Sequence, residues 1–336
     1  DGFIYAAGIS FFSDSHFLSR DMNDRQPKKN TLRQLQSLSD DPNKQAAAAI
    51  DLLQPGARHD LLMVATKVLA ENPSEDAHDA LLSVYRHLAL DGAKRDPGAY
   101  VRSAALNALR PIAQMSDTPL LLQAVETFEY LPPDFLEEAS ALRAAALLAL
   151  NELDDEAAGY YAARFLVDGQ TAKMSAEPAL TAVRVLASRH MLVTLYQYVM
   201  QAGGLLIPEV SSECLRNLTA VPESLIPGLV TVMENRSSPV ESLGLFDLLI
   251  EHESGPQAVQ YIEDYLRHPD DFDVYRYVVL TAMAARREEL TRLICEIALD
   301  ETDEDRRTLL IAALEPYSSA AQVRETLQQI TDQSYS

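Results

Sequence analysis

The sequence has no tryptophan, twelve glycines and two cysteines in 336 residues. So few glycines leave little material for the tight turns of an all-β protein. Cys214 and Cys295 lie in helix-like runs, SSECLRNL and RLICEIAL. They read as small buried hydrophobes rather than as a disulfide or a reactive thiol, which fits a reducing compartment and a cytoplasmic location. No run approaches the roughly 18 apolar residues of a membrane span, so membrane insertion is not expected. The chain begins at Asp1, which leaves open a leader removed upstream.

Positive charge is also scarce. There are 28 Lys and Arg against 50 Asp and Glu, a formal net charge of −22, and residues 101–336 hold 17 basic against 36 acidic side chains. Such a surface repels phosphate backbones and anionic lipid heads, which makes nucleic acid and membrane surfaces poor partners. It suits solubility, or a basic protein segment drawn in by long-range attraction. Chemical signatures are missing as well. The seven histidines form no HExxH or Cys-His arrangement, and there is no GxGxxG, GxxxxGK[ST] or GxSxG. His59-Asp60 and His78-Asp79 are adjacent pairs, but neighbours on a helix point about 100° apart and make no site unaided. No catalytic residue, metal or cofactor is assigned.

What is present favours helix. Hydrophobic residues make up 47% of the chain, enough for an extensive core, and Ala, Leu, Glu, Arg and Gln lose little side-chain freedom in a helix. Residues 1–30 stand apart. DGFIYAAGISFFSDSHF holds four of the nine phenylalanines and is followed by the polar SRDMNDRQPKKN, an aromatic arm and linker. The arm is expected to cap the first helices or to dock on a neighbouring chain. Residues 31–336 form a second region, punctuated every 12 to 20 residues by segments such as DDPN, KRDPG, LPPDF, RHPDD and DETDED. These combine helix stops with N-caps. Apolar residues between them recur at three- and four-residue spacings, giving helix, turn, helix some sixteen to eighteen times over.

One segment returns. Asp96-Pro97 precedes Val101-Arg102 and an Ala/Leu run to Leu109, and Glu137…Leu142-Arg143…Leu150 repeats it 41 residues later. Asp270…Tyr275-Arg276…Met283 and Glu301…Arg306-Arg307…Leu314 are further copies, while Asn235…Val240-Glu241…Leu248 has lost the arginine. Asp96 can accept hydrogen bonds from the first amides of a helix, and the alanines make a thin seam for close packing of the next one. This pattern resembles the HEAT family of helical repeats, close kin of armadillo. The resemblance covers about residues 31–331 and implies a single right-handed α-solenoid of about seven to nine stacked helix pairs. It also implies that Asp96, Arg102, Arg143, Asp270, Arg276 and Arg307 form a structural ladder rather than a catalytic set.

In that fold the second helices line a concave groove. The repeat register then brings Ser103, Asn107 and Arg110 to the groove, followed by Ala144, Leu148 and Asn151, by Ser242, Phe246 and Leu249, and by Tyr277, Thr281 and Ala284. Leu148, Phe246 and Tyr277 are large and apolar there, either as a contact surface or as side chains buried by a curled superhelix. Asn107, Leu148, Phe246, Tyr277 and Thr281 are the candidate partner-binding residues. The close tyrosine pairs between 160 and 277 also suit an interface, while Tyr261 with Tyr265, at helical spacing, reads as packing between layers. The reading is a non-catalytic scaffold or adaptor that holds another protein, through a basic segment, in an acidic groove. Two alternatives stay open: a phycobilin-lyase-like enzyme using the groove as a pocket, and a structural subunit of a larger assembly. Deoxyhypusine hydroxylases of similar fold carry repeated His-Glu steps, of which only His252-Glu253 occurs, and the HEAT-like DNA glycosylases have a basic concave face.

Overall fold

The structure is a computed structural model that describes residues 35, 37–38, 40–201, 206–236, 238–252 and 256–333. The aromatic arm expected over residues 1–30 lies outside the described residues. The fold is all-α. Among the described residues there are eighteen α-helices and one two-stranded hairpin, β1 (Tyr130–Leu131) with β2 (Leu136–Glu137).

In chain order the helices are α1 (Pro42–Leu52), α2 (His59–Glu71), α3 (His78–Ala89), the single turn α4 (Gly92–Arg95), α5 (Tyr100–Leu109) and α6 (Thr118–Val125). They continue with α7 (Ser140–Glu152), α8 (Ala157–Phe165), α9 (Ala179–Ser188), α10 (Leu192–Met200), α11 (Pro208–Arg216) and α12 (Ile226–Glu234). The last six are α13 (Pro239–Glu251), α14 (Pro256–Arg267), α15 (Phe272–Ala284), α16 (Glu288–Asp300), α17 (Glu304–Leu314) and α18 (Ala321–Gln333).

Local chemistry starts these helices. The side chains of Asp41, Asp271 and Asp303 accept backbone amides at the starts of α1, α15 and α17, and Pro42, Pro208 and Pro239 occupy first helical positions where a missing N–H is harmless. The ends depart from expectation, because several stop on a left-handed residue that is not glycine. Asp154 (φ 54°) follows α7, His190 (φ 56°) follows α9 and Arg286 (φ 53°) follows α15. After α7 and α9 the next amide closes the wide bond of a Schellman cap, Asp155 to the Leu150 carbonyl at 3.1 Å and Met191 to the Leu186 carbonyl at 2.9 Å. These helices thus end in left-handed geometry without a glycine.

Packing runs between chain neighbours. Helices pair as α1–α2, α3–α5, α6–α7, α8–α9, α10–α11, α12–α13, α14–α15 and α16–α17, with α18 against α16. The second members α2, α5, α7, α9, α11, α13, α15 and α17 each contact the next in the series. Seams of small residues allow this. On α7, Ala144, Ala145, Ala146 and Ala149 are all buried beside Leu142, Leu147 and Leu150. At α11–α13 the approach is close: a Cβ on Gly244 would stand 2.6 Å from the Ser212 carbonyl oxygen.

Charged rungs join successive pairs. The Asp96 carboxylate accepts the amides of Val101 (3.1 Å) and Arg102 (2.9 Å) and the Arg102 Nε (3.1 Å). Arg102 turns its other edge to Glu129 in the following pair, with nitrogen–oxygen distances of 2.7 and 2.9 Å. Arg143 repeats the arrangement. Its Nη2 reaches Glu137 at 2.6 Å and the Gln170 carbonyl at 2.7 Å, and its guanidinium carbon lies 4.4 Å from the centre of the Phe128 ring. Each arginine thus bonds its own repeat's acid and the turn of the next repeat.

The other expected rungs differ. Asp271, not Asp270, caps α15, and Arg276 is exposed and only 3.6 Å from the exposed Asp273. Arg307 reaches the Ile330 carbonyl at 3.3 Å, while Arg306 pairs with the buried side chain of Glu301 at 3.4 Å. The core register is the same in all three copies, since Val101, Leu142 and Tyr275, each just before the arginine, are all buried. The difference lies in what covers the arginine: Arg102 and Arg143 meet buried acid side chains, whereas Arg276 meets only the exposed Asp273.

Candidate protein-binding site

Arginines in the turns serve another purpose that the repeat pattern did not reveal. Arg236 donates to the carbonyls of Val199 and Gln201 and pairs with Glu241 at 3.0 Å. Arg287 does the same 51 residues on, donating to the carbonyls of Ile250 and His252 at 2.8 Å each. Both satisfy the open carbonyl end of an earlier helix, where a cation is favoured. The available signal was the arginine in each short inter-helix turn, ENRSSP and ARREE.

Some acids near α13 and α14 are neutralised. Asp247 meets Arg216 at 2.6 Å and accepts the Tyr277 hydroxyl at 2.7 Å, and Glu263 meets Arg267 at 2.9 Å. Three are not. Glu234 at the end of α12, Asp264 near the end of α14 and Asp270 in the turn to α15 are exposed, and none has an ion-pair partner among the described residues. They border one cavity of about 380 Å³. Its inner lining is apolar: Met233 and Leu249 are buried, and Phe246 packs on Tyr265 with ring centres 4.6 Å apart. Tyr261 completes the wall.

The Tyr265 hydroxyl donates to the Asp271 carbonyl at 3.2 Å, which fixes the ring. Burial first, and the charges of Asp270 and Asp271 second, push its pKa well above that of an ordinary tyrosine. The same carboxylates that oppose a phenolate favour a cation.

The five candidate binding residues fall into different surroundings. Phe246 lines the cavity but is 6% exposed, so it is an inner wall rather than the open apolar ridge of a groove. Tyr265, from the next helix pair, covers it. Tyr277 is half-buried and tied to Asp247. Asn107 is exposed, Leu148 and Thr281 are half-buried, and none of the three borders the cavity. Of the flanking positions, Ser103 is buried and donates to the Ala99 carbonyl at 2.8 Å, and Ala144 and Leu249 are buried as well.

Other polar clusters are joints. The His78 ring bridges Asp117 (2.8 Å) and Asp79 (3.2 Å) and ties α3 to the turn that starts α6. Burial works against its charge, yet the hydrogen bonds and charge of Asp117 and then Asp79 win, raising its pKa above the usual 6.5. His252, from the single His-Glu step, meets the Val221 carbonyl at 2.7 Å. Cys214 and Cys295 are free and buried, and burial raises both thiol pKa values. Among the described residues no group of three or more His, Cys, Asp and Glu is placed to hold a metal ion, and no helix is long and apolar enough to cross a membrane.

Compared with family models, with curated proteins and with solved structures, the chain finds no match.

Proposed function

We propose that the chain is a right-handed α-solenoid of HEAT-like helix pairs, and that it works without catalysis as a scaffold that holds a basic segment of another protein. The pairing of each helix with its chain neighbours supports the stacked architecture. So do the rungs built on Asp96 with Arg102 and on Glu137 with Arg143. Two buried free thiols agree with a cytoplasmic setting.

The observation that carries the functional reading is the trio Glu234, Asp264 and Asp270. These carboxylates stand without cationic partners around an apolar cavity, whereas the nearby Asp247 and Glu263 are paired. The excess of 36 acidic over 17 basic residues from 101 onward adds a long-range field that draws in a basic chain. Binding of fluorescein-labelled hexa-arginine, followed by anisotropy, tests this. Between about 50 and about 500 mM salt the affinity is expected to fall by about tenfold or more, as screening removes the field. Salt-independent binding, or none at low salt, would contradict the reading.

A further inference from the structure

The geometry points to the cavity between α12, α13 and α14 as a receptor for one arginine side chain of the partner, with the aliphatic stem and guanidinium against Phe246 and Tyr265 and the charge among Glu234, Asp264 and Asp270. This rests on the scaffold reading above and specifies its contact.

Three features select the guest. The cavity, about 380 Å³, has room for a long side chain but is bordered by few residues able to donate hydrogen bonds, so a cationic donor fits it better than an anion. Its inner wall is apolar and aromatic, and a lysine or arginine stem gains from covering such a surface while its head stays near water. The three carboxylates, at residues 234, 264 and 270, stand on the border of the same cavity. A planar guanidinium offers five donors in a fixed fork and stacks on an aromatic face, whereas an ammonium is compact and strongly hydrated. Arginine is therefore the preferred guest.

The chain's own cations nearby are already engaged. Arg236 is held by helix carbonyls and Glu241, and Arg267 by Glu263 at 2.9 Å. The cavity therefore offers its charge to an outside group.

The test compares hexa-arginine with hexa-lysine on the full chain and on two double variants that remove the same charge. Asp264→Asn/Asp270→Asn alters the cavity, and Asp51→Asn/Glu75→Gln alters exposed acids in α1 and just before α3. The cavity pair is expected to weaken hexa-arginine about tenfold and to erase its several-fold advantage over hexa-lysine, with less than about a twofold loss for the control pair. Phe246→Leu, which keeps the apolar volume, is expected to erase the arginine preference while leaving hexa-lysine binding unchanged. Equal losses in both double variants would overturn the cavity as the seat of binding while leaving the salt-sensitive acidic surface intact. If wild-type protein binds neither peptide at low salt, the scaffold reading falls with it.

Discussion

Replacing Arg143 with methionine is expected to lower stability by about 3–5 kcal/mol, the usual penalty for removing one member of a buried ion pair. Arg143 is wholly buried, and the side chains it serves, Glu137 and Asp168, are 6% and 12% exposed. Methionine would fill the space between Phe128 and Phe165 but would leave Glu137 without its 2.6 Å partner and the Gln170 carbonyl without its donor. Urea unfolding followed by far-ultraviolet circular dichroism measures the loss. A second change, Glu137→Gln, is expected to restore part of it, because the orphaned charge is what costs most. Arg276→Ala is the matched surface control, with an expected change within about 0.5 kcal/mol, since Arg276 and Asp273 are both exposed. Equal effects at Arg143 and Arg276 would show that the rung does not join the repeats.

The second large effect comes from adding one methyl group. Gly244→Ala is expected to destabilise by about 2–3 kcal/mol or more, because the new Cβ would lie 2.6 Å from the Ser212 carbonyl oxygen and 2.7 Å from its Cα. Those are backbone atoms and cannot swing aside, so α13 would have to shift from α11. Gly228→Ala supplies a control of opposite sign. Gly228 also lies within a helix, α12, and the nearest atom its Cβ would meet is 3.8 Å away. There alanine is expected to stabilise by about 0.5–1 kcal/mol through helix propensity alone. Thermal unfolding of the two variants decides the matter; a shift of the same sign in both would contradict the packing between α11 and α13.

The architecture was readable where it rests on local chemistry. Helix starts follow capping aspartates and prolines, and the repeat around Asp96 and Arg102 marks a real joint because its acid, amides and guanidinium lie within six residues of one another. Arg143 was readable for the same reason. The same motif misled at Arg276, since spacing in sequence does not reveal whether a buried acid will meet the arginine, and Arg276 is left exposed beside Asp273. Helix ends at Asp154, His190 and Arg286 were obscure because left-handed geometry is ordinarily assigned to glycine. The hairpin at Tyr130–Glu137 hid inside LPPDF, which signals only a break.

The candidate site was less legible. Phe246 was singled out from its helical register, but its burial depends on Tyr265, a contact between successive helix pairs that no local pattern encodes. Glu234, Asp264 and Asp270 are unremarkable in an acidic chain and gain meaning only when three segments bring them around one cavity.

Small-angle scattering of the full chain tests the stacked array most directly. Eight helix pairs spaced by about 10 Å, the usual distance between packed helices, make an object roughly 80 Å long. The expected radius of gyration is then about 25 Å or more, with a pair-distance distribution tailing to long distances. A chain of 336 residues folded into one compact body would give about 20 Å and a symmetric distribution; that result would contradict the array.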